Sequence, residues 1–226
     1  MSVDDSEGMT EDKRIVSKRR VTDYGEVLTG KREVNAMLDL VKQETERIES
    51  RFLEPACGNG NFLTVILERK LTVVEKRYGK SLLDFERYGV LAVSSLYGID
   101  ILEDNVRQCR HRLYSIFDSD FYSRLFATSA KERCREVVRF ILERNIVWGD
   151  ALDLKTKNEP RRPIVFSEWS PLGDGMVKRR DFFLSYLLEK RHQLSLFNDE
   201  SQEVNLNRPV KEYPPIHFLE IPHAQP

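Results

Sequence analysis

Arg51-Phe52-Leu53-Glu54-Pro55-Ala56-Cys57-Gly58-Asn59-Gly60-Asn61-Phe62-Leu63 reads as a short apolar strand, an acidic residue, a Gly-x-Gly loop and the opening of a helix. Glycines carry no Cβ and accept backbone angles that other residues avoid, so such a loop lets a ligand come close to the main chain. A Gly-x-Gly alone is a weak signal, shared by many nucleotide folds and by turns that hold nothing. Its setting carries more weight. A loop between a strand and a helix lies at the strand's carboxyl end, where open α/β sheets bind ligands.

Working outward, Lys31 to Glu49 is helical by pattern, with Val34, Met37, Leu38, Val41 and Ile48 on one face. Downstream, helices are expected over 61–76, 81–93, 103–117, 130–144 and 181–191. Strands are expected at 51–54, 96–100, 145–148 and 163–166. This alternation predicts an α/β domain with a mainly parallel sheet, helices on both faces and an N-terminal helical cap. Residues 1–18 are expected to be disordered, and 19–192 to form the α/β domain. Residues 193–226, where periodicity fades and prolines accumulate, are expected to form an extended arm.

The composition, 226 residues with 40% hydrophobic and 32% charged, is that of a soluble globular protein. No apolar run is long enough for a membrane span, and the acidic start is no signal peptide. Cys57, Cys109 and Cys134 lack metal-ligand spacing and cannot all pair, which points to a reducing cytoplasm. The net charge of −1 argues against attraction of nucleic acid over the whole surface. Two basic runs stand out, Lys13 to Arg20 and Lys178-Arg179-Arg180, either as solvated surface or as phosphate contacts.

Two further strand ends bear acidic residues. Tyr97-Gly98-Ile99-Asp100 ends the second strand, where a carboxylate can accept from vicinal ribose hydroxyls or cap the following helix. Trp148-Gly149-Asp150-Ala151 ends the third. Taken in order, these motifs resemble the class I S-adenosylmethionine (SAM) methyltransferases, in the Leu-Glu-Pro-Ala-Cys-Gly-x-Gly form of adenine-specific DNA methyltransferases of restriction-modification systems. The resemblance spans roughly residues 19 to 155. It implies SAM as cofactor, with the methionine end held by Glu54, Pro55, Ala56, Cys57, Gly58, Asn59, Gly60 and Asn61. It implies the ribose on Asp100 beside Ile101, and the adenine amino group on Asp150 beside Ala151. Val21 to Thr29 is similar to the family's segment that closes over SAM, which brings in Tyr24 and Thr29. Thr29 serves equally well as a plain helix N-cap. The stretch between Glu54 and Asp100 is longer than the usual ~20 residues, and the helix over 81–93 is treated as an insertion.

The resemblance then breaks. The family carries Asn/Asp-Pro-Pro-aromatic at the end of its fourth strand, where the exocyclic amine and the flipped base are held. Here Pro163-Ile164-Val165-Phe166 runs into Ser167-Glu168-Trp169-Ser170. Either Ser167 and Glu168 replace the acceptor contacts and Trp169 stacks on the base, or the segment has no part in methyl transfer and Trp169 is packing. The resemblance thus implies a SAM-dependent adenine-N6 DNA methyltransferase subunit of a restriction-modification or phage-defence system. DNA is its expected partner, with a second chain supplying target recognition. The alternative is a catalytically silent SAM-binding subunit or sensor.

Overall fold

The computed structural model describes residues 29–188 and 209–224. Three parallel strands form its centre: β1 (Phe52–Glu54), β2 (Leu96–Asp100) and β3 (Ile146–Asp150), in that spatial order, with the short β4 (Lys155–Thr156) antiparallel beyond β3. The principal helices are α1 (Lys31–Asp39), α2 (Asn61–Tyr78), α3 (Leu82–Ser94), α4 (Glu103–Ser115) and α5 (Glu132–Asn145). The chain is therefore a mixed α/β fold.

Helix positions follow from apolar spacing. In α2, Leu63, Leu67, Leu71 and Val74 recur at helical intervals and are buried. Ser81 caps α3 by accepting from the Asp84 N–H. Past α4 the helix widens into a π-helical segment, Ile116–Tyr122, that buries Phe117 and Tyr122 against Phe85 of α3.

Strand side chains alternate between the two faces of the sheet. Leu96 and Ile146 point into one large core with the helices, while Tyr97, Ile99 and Val147 point to the opposite face. That second face is covered by Ile164, Phe166 and Leu184. These residues come from or flank an antiparallel hairpin, β5 (Val165–Gly173) and β6 (Met176–Phe183).

Here the structure departs from expectation. The five principal helices share the one core, so helices do not cover both faces equally. The segment after Pro163 is no fourth parallel strand, and Asp181 to Phe183 complete β6, so helix begins only at 184. The cause is the turn Gly173-Asp174-Gly175, three successive residues with positive φ. Two glycines flanking an aspartate reverse the chain tightly and turn both flanks into strand.

Residues 193–208 of the expected arm, with the expected disordered stretch 1–18, lie outside the described residues. From Pro209 on the arm is docked. β7 (Lys211–Glu212) and β8 (Ile216–His217) both pair with β6, and Tyr213, Phe218, Leu219 and Ile221 are buried. Among the described residues, no helix is long and apolar enough to cross a membrane.

Candidate functional site

The carboxyl ends of β1, β2 and β3 lie side by side. Asp100 is level with Trp148 in the register, and the β3 residue two further on is Asp150. With neighbouring strands ~4.8 Å apart, the three ends span about 10 Å, the scale of a nucleoside.

The glycine loop folds over the end of β2. Cys57 N–H donates to the Ile99 carbonyl at 2.9 Å, and Gly58 N–H to Asp100 Oδ2 at 2.8 Å. Asp100 Oδ1 accepts from Leu102 N–H at 2.9 Å and from Asn105 Nδ2 at 3.2 Å. Asp100 is buried, so these bonds hold an otherwise costly carboxylate. A carboxylate offers about four lone-pair positions, and three are used by the described residues. The ribose reading and the helix-entry reading of Asp100 are thus compatible.

The two glycines have different tasks. Gly58 has φ +52° and open space where a Cβ would stand. At Gly60, φ +90°, a Cβ would come within 2.7 Å of Cys109 Sγ. Gly60 therefore permits the loop to lie on α4, and Gly58 leaves the main chain approachable from outside. Contact with Cys109, together with burial, pushes the Cys57 thiol well above its ordinary range, which disfavours the thiolate and suits a packing role. Burial raises the Glu54 carboxyl, partly offset by the Ala56 N–H, which donates to Glu54 Oε1 at 3.4 Å. Pro55 and Ala56 are exposed at the loop's start.

Three residues that support the loop were not singled out from sequence. Arg112 Nη1 donates to the Asn59 carbonyl at 2.8 Å, to Asn59 Oδ1 at 2.9 Å and to Asn61 Oδ1 at 2.8 Å. Asn105 reaches Asp100, and Cys109 lies beneath Gly60. Asn105, Cys109 and Arg112 follow one another at i, i+4 and i+7, one stripe of α4. That spacing was the available signal. Asn61 Nδ2 also donates to the Thr29 carbonyl at 3.0 Å, which brings Thr29 beside the loop. The N-cap of α1 is Gly30, with no side-chain cap, so the capping reading of Thr29 does not hold. Tyr24 lies outside the described residues.

At β3, Asp150 Oδ1 accepts from Leu152 N–H at 3.0 Å, and Ala151 is half-buried next to it. Trp148 Nε1 donates to the Ile101 carbonyl at 3.0 Å, tying the exposed Ile101 to β3.

Ser167, Glu168 and Trp169 are elsewhere. Trp169 is 4% exposed, and its Nε1 donates to Oδ1 of Asn145, the residue before β3. Glu168 pairs with Arg51, the residue before β1, at 2.7 Å and with Arg180 at 3.2 Å. Ser167 Oγ donates to Asp181 Oδ1 at 2.7 Å and accepts from Arg179 Nε at 3.1 Å. All three belong to the amino ends of the strands, about 13–17 Å of strand away from Asp100 and Asp150. The substitute acceptor site is therefore overturned. The hairpin turns β5 antiparallel and carries these side chains to the wrong end of the sheet, where they are packing and ion-pair groups.

The basic run at 178–180 is likewise spent internally. Lys178 pairs with Glu212, Arg179 with Asp181 at 2.7 Å and Arg180 with Glu168. The run Lys13 to Arg20 lies outside the described residues. No family model, curated protein or solved structure matches this chain.

Proposed function

We propose that this chain is the SAM-binding subunit of an adenine-specific DNA methyltransferase, with the acceptor half of the site and target recognition supplied by a partner chain. The observation that carries the reading is the glycine loop wrapped on Asp100 at the carboxyl end of a parallel β1–β2–β3 sheet. The residues fit the cofactor. Gly58 leaves an open approach to the main chain, Asp100 keeps acceptor capacity for a ribose hydroxyl, and Asp150 lies two strands from the loop. Bound there, SAM would supply the activated methyl group; the chain binds it and fixes its direction.

The partner is argued from two observations. The residues expected to hold the base lie at the opposite end of the sheet. In addition, no described strand pairs with the outer edge of β1. Doubly wound sheets form their ligand crevice where strand order reverses, which calls for a strand beside β1. Leu53, 42% exposed, is the middle residue of that edge. The same displacement favours a second reading, a catalytically silent SAM-binding sensor or assembly subunit.

Calorimetry of the full chain with SAM and S-adenosylhomocysteine tests the cofactor, and absence of binding to either rules it out. Transfer of labelled methyl groups to duplex DNA, with and without the products of neighbouring genes, separates the two readings. Transfer that appears only with a partner supports the subunit. Binding of SAM with no transfer under any pairing supports the silent module.

A further inference from the structure

At the amino end of the sheet, away from the glycine loop, α3, α5, the hairpin and the docked C-terminal segment enclose a cavity of about 300 Å³. Its walls are mostly apolar: Ile141 from α5, Trp169 and Met176 from the hairpin, and Phe218 and Ile221 from the C-terminal segment. A cavity of this size and lining belongs to the class that takes small molecules. At the ~30 Å³ that a water occupies, it has room for an apolar body on the order of ten heavy atoms.

One charged side chain lines it. Arg87 of α3 forms no ion pair with any described residue, and its guanidinium lies 5.5 Å from the Tyr88 ring centroid. Several other arginines are matched. Arg51 and Arg180 share Glu168, Arg179 has Asp181, and Arg124 has Glu75. Ser94, also in the wall, satisfies its hydroxyl on the Leu91 carbonyl of its own helix. An arginine in the wall of an apolar cavity, with no ion-pair partner among the described residues, suits a ligand with an apolar body and a carboxylate, since Arg recognises that group through paired N–H donors.

We propose that this cavity binds an amphipathic monocarboxylate, its chain or ring among Trp169, Met176, Phe218 and Ile141 and its carboxylate on Arg87. The site is separate from the SAM site and does not rest on that assignment.

Decanoate and the neutral 1-decanol serve as probes, titrated below decanoate's micellar range into the full chain. Binding is followed by calorimetry and by tryptophan fluorescence. The expected result is one equivalent of decanoate bound with saturation, at least tenfold tighter than 1-decanol. Arg87→Gln abolishes that preference while leaving 1-decanol affinity unchanged, and Arg87→Lys retains part of it. Trp169→Phe removes the fluorescence response, because Trp148 does not line the cavity. Circular dichroism melting checks that each variant folds. Should Arg87→Gln fail to fold, the wild-type preference and Arg87→Lys still decide. No saturable binding, several equivalents bound, equal affinity for the two probes, or a fluorescence change that survives Trp169→Phe would each overturn the proposal.

Discussion

The N–H of Gly58 donates to Oδ2 of Asp100 across 2.8 Å, joining the glycine loop to the end of the neighbouring strand. The loop is thereby held in place before any ligand arrives, and the carboxylate that would take a ribose is already oriented. Pre-organisation of this kind lowers the ordering cost of binding.

Replacing Asp100 by Asn keeps the shape and removes the charge. Charge-assisted hydrogen bonds are worth about 1.5–3 kcal/mol each. SAM affinity by calorimetry is expected to fall at least tenfold. Asp100→Ala should also lower the melting temperature, since it strips the partner from Gly58, Leu102 and Asn105.

Trp169→Ala is expected to behave in the opposite way. The side chain is buried and its indole N–H is bonded to Asn145, so its removal leaves a cavity and an orphaned acceptor. Large aromatic truncations in cores cost about 3–5 kcal/mol. Urea unfolding should show that loss, and SAM affinity at a temperature where the variant is folded should stay within about twofold. A variant of normal stability with tenfold weaker methyl transfer would return Trp169 to the acceptor site.

Lys70 gives the chain a pH signature. Its Nζ is buried and donates to the carbonyls of Ile48 (3.0 Å) and Ser50 and to Ser95 Oγ at 2.7 Å. Burial pushes the ammonium down to about 7 from an ordinary 10.5, against the weaker pull of Glu49 and Glu44. Between those values the unfolded chain holds the extra proton, so this group's contribution to stability grows as pH rises through the window and is lost as pH falls through about 7. Urea midpoints at pH 6, 7.5 and 9 should show the rise in the wild type. It should be absent in Lys70→Met, which is also less stable throughout because two carbonyls lose their donor.

DNA binding by the single chain is expected to be weak and to fall steeply with salt. Because Lys178 is engaged by Glu212, Lys178→Gln should leave DNA affinity in a filter or anisotropy assay unchanged. A loss of affinity would place that face on the DNA.

The parallel strands were legible because each is a short apolar run ending in a residue that cannot continue it. Leu96–Asp100 was located to the residue, and α2, α3 and α5 to within about two residues. The glycine loop was legible because its residues adjoin in sequence. Its supports on α4 were not, since Asn105, Cys109 and Arg112 touch the loop only once the helix crosses it. The hairpin was misread because Ile164 to Phe166 looks the same whether its strand joins the parallel sheet or covers that sheet's second face. The Gly173-Asp174-Gly175 turn distinguishes the two. Taking 167–170 as a loop at a strand's carboxyl end followed from that single error.

The docked C-terminal segment has a consequence for the order in which the molecule is made. Synthesis runs from the amino terminus, and units fold as they emerge. Residues 52–150, which carry the loop and its supports, are complete before the hairpin exists. Until the hairpin is added, Tyr97 and Ile99 have no cover on their face of the sheet. Tyr213, Phe218 and Ile221 follow the hairpin and close the end opposite the loop. The nascent chain therefore carries the glycine loop and its supports early, while the face bearing Tyr97 and Ile99 stays bare until residues 164–184 have followed.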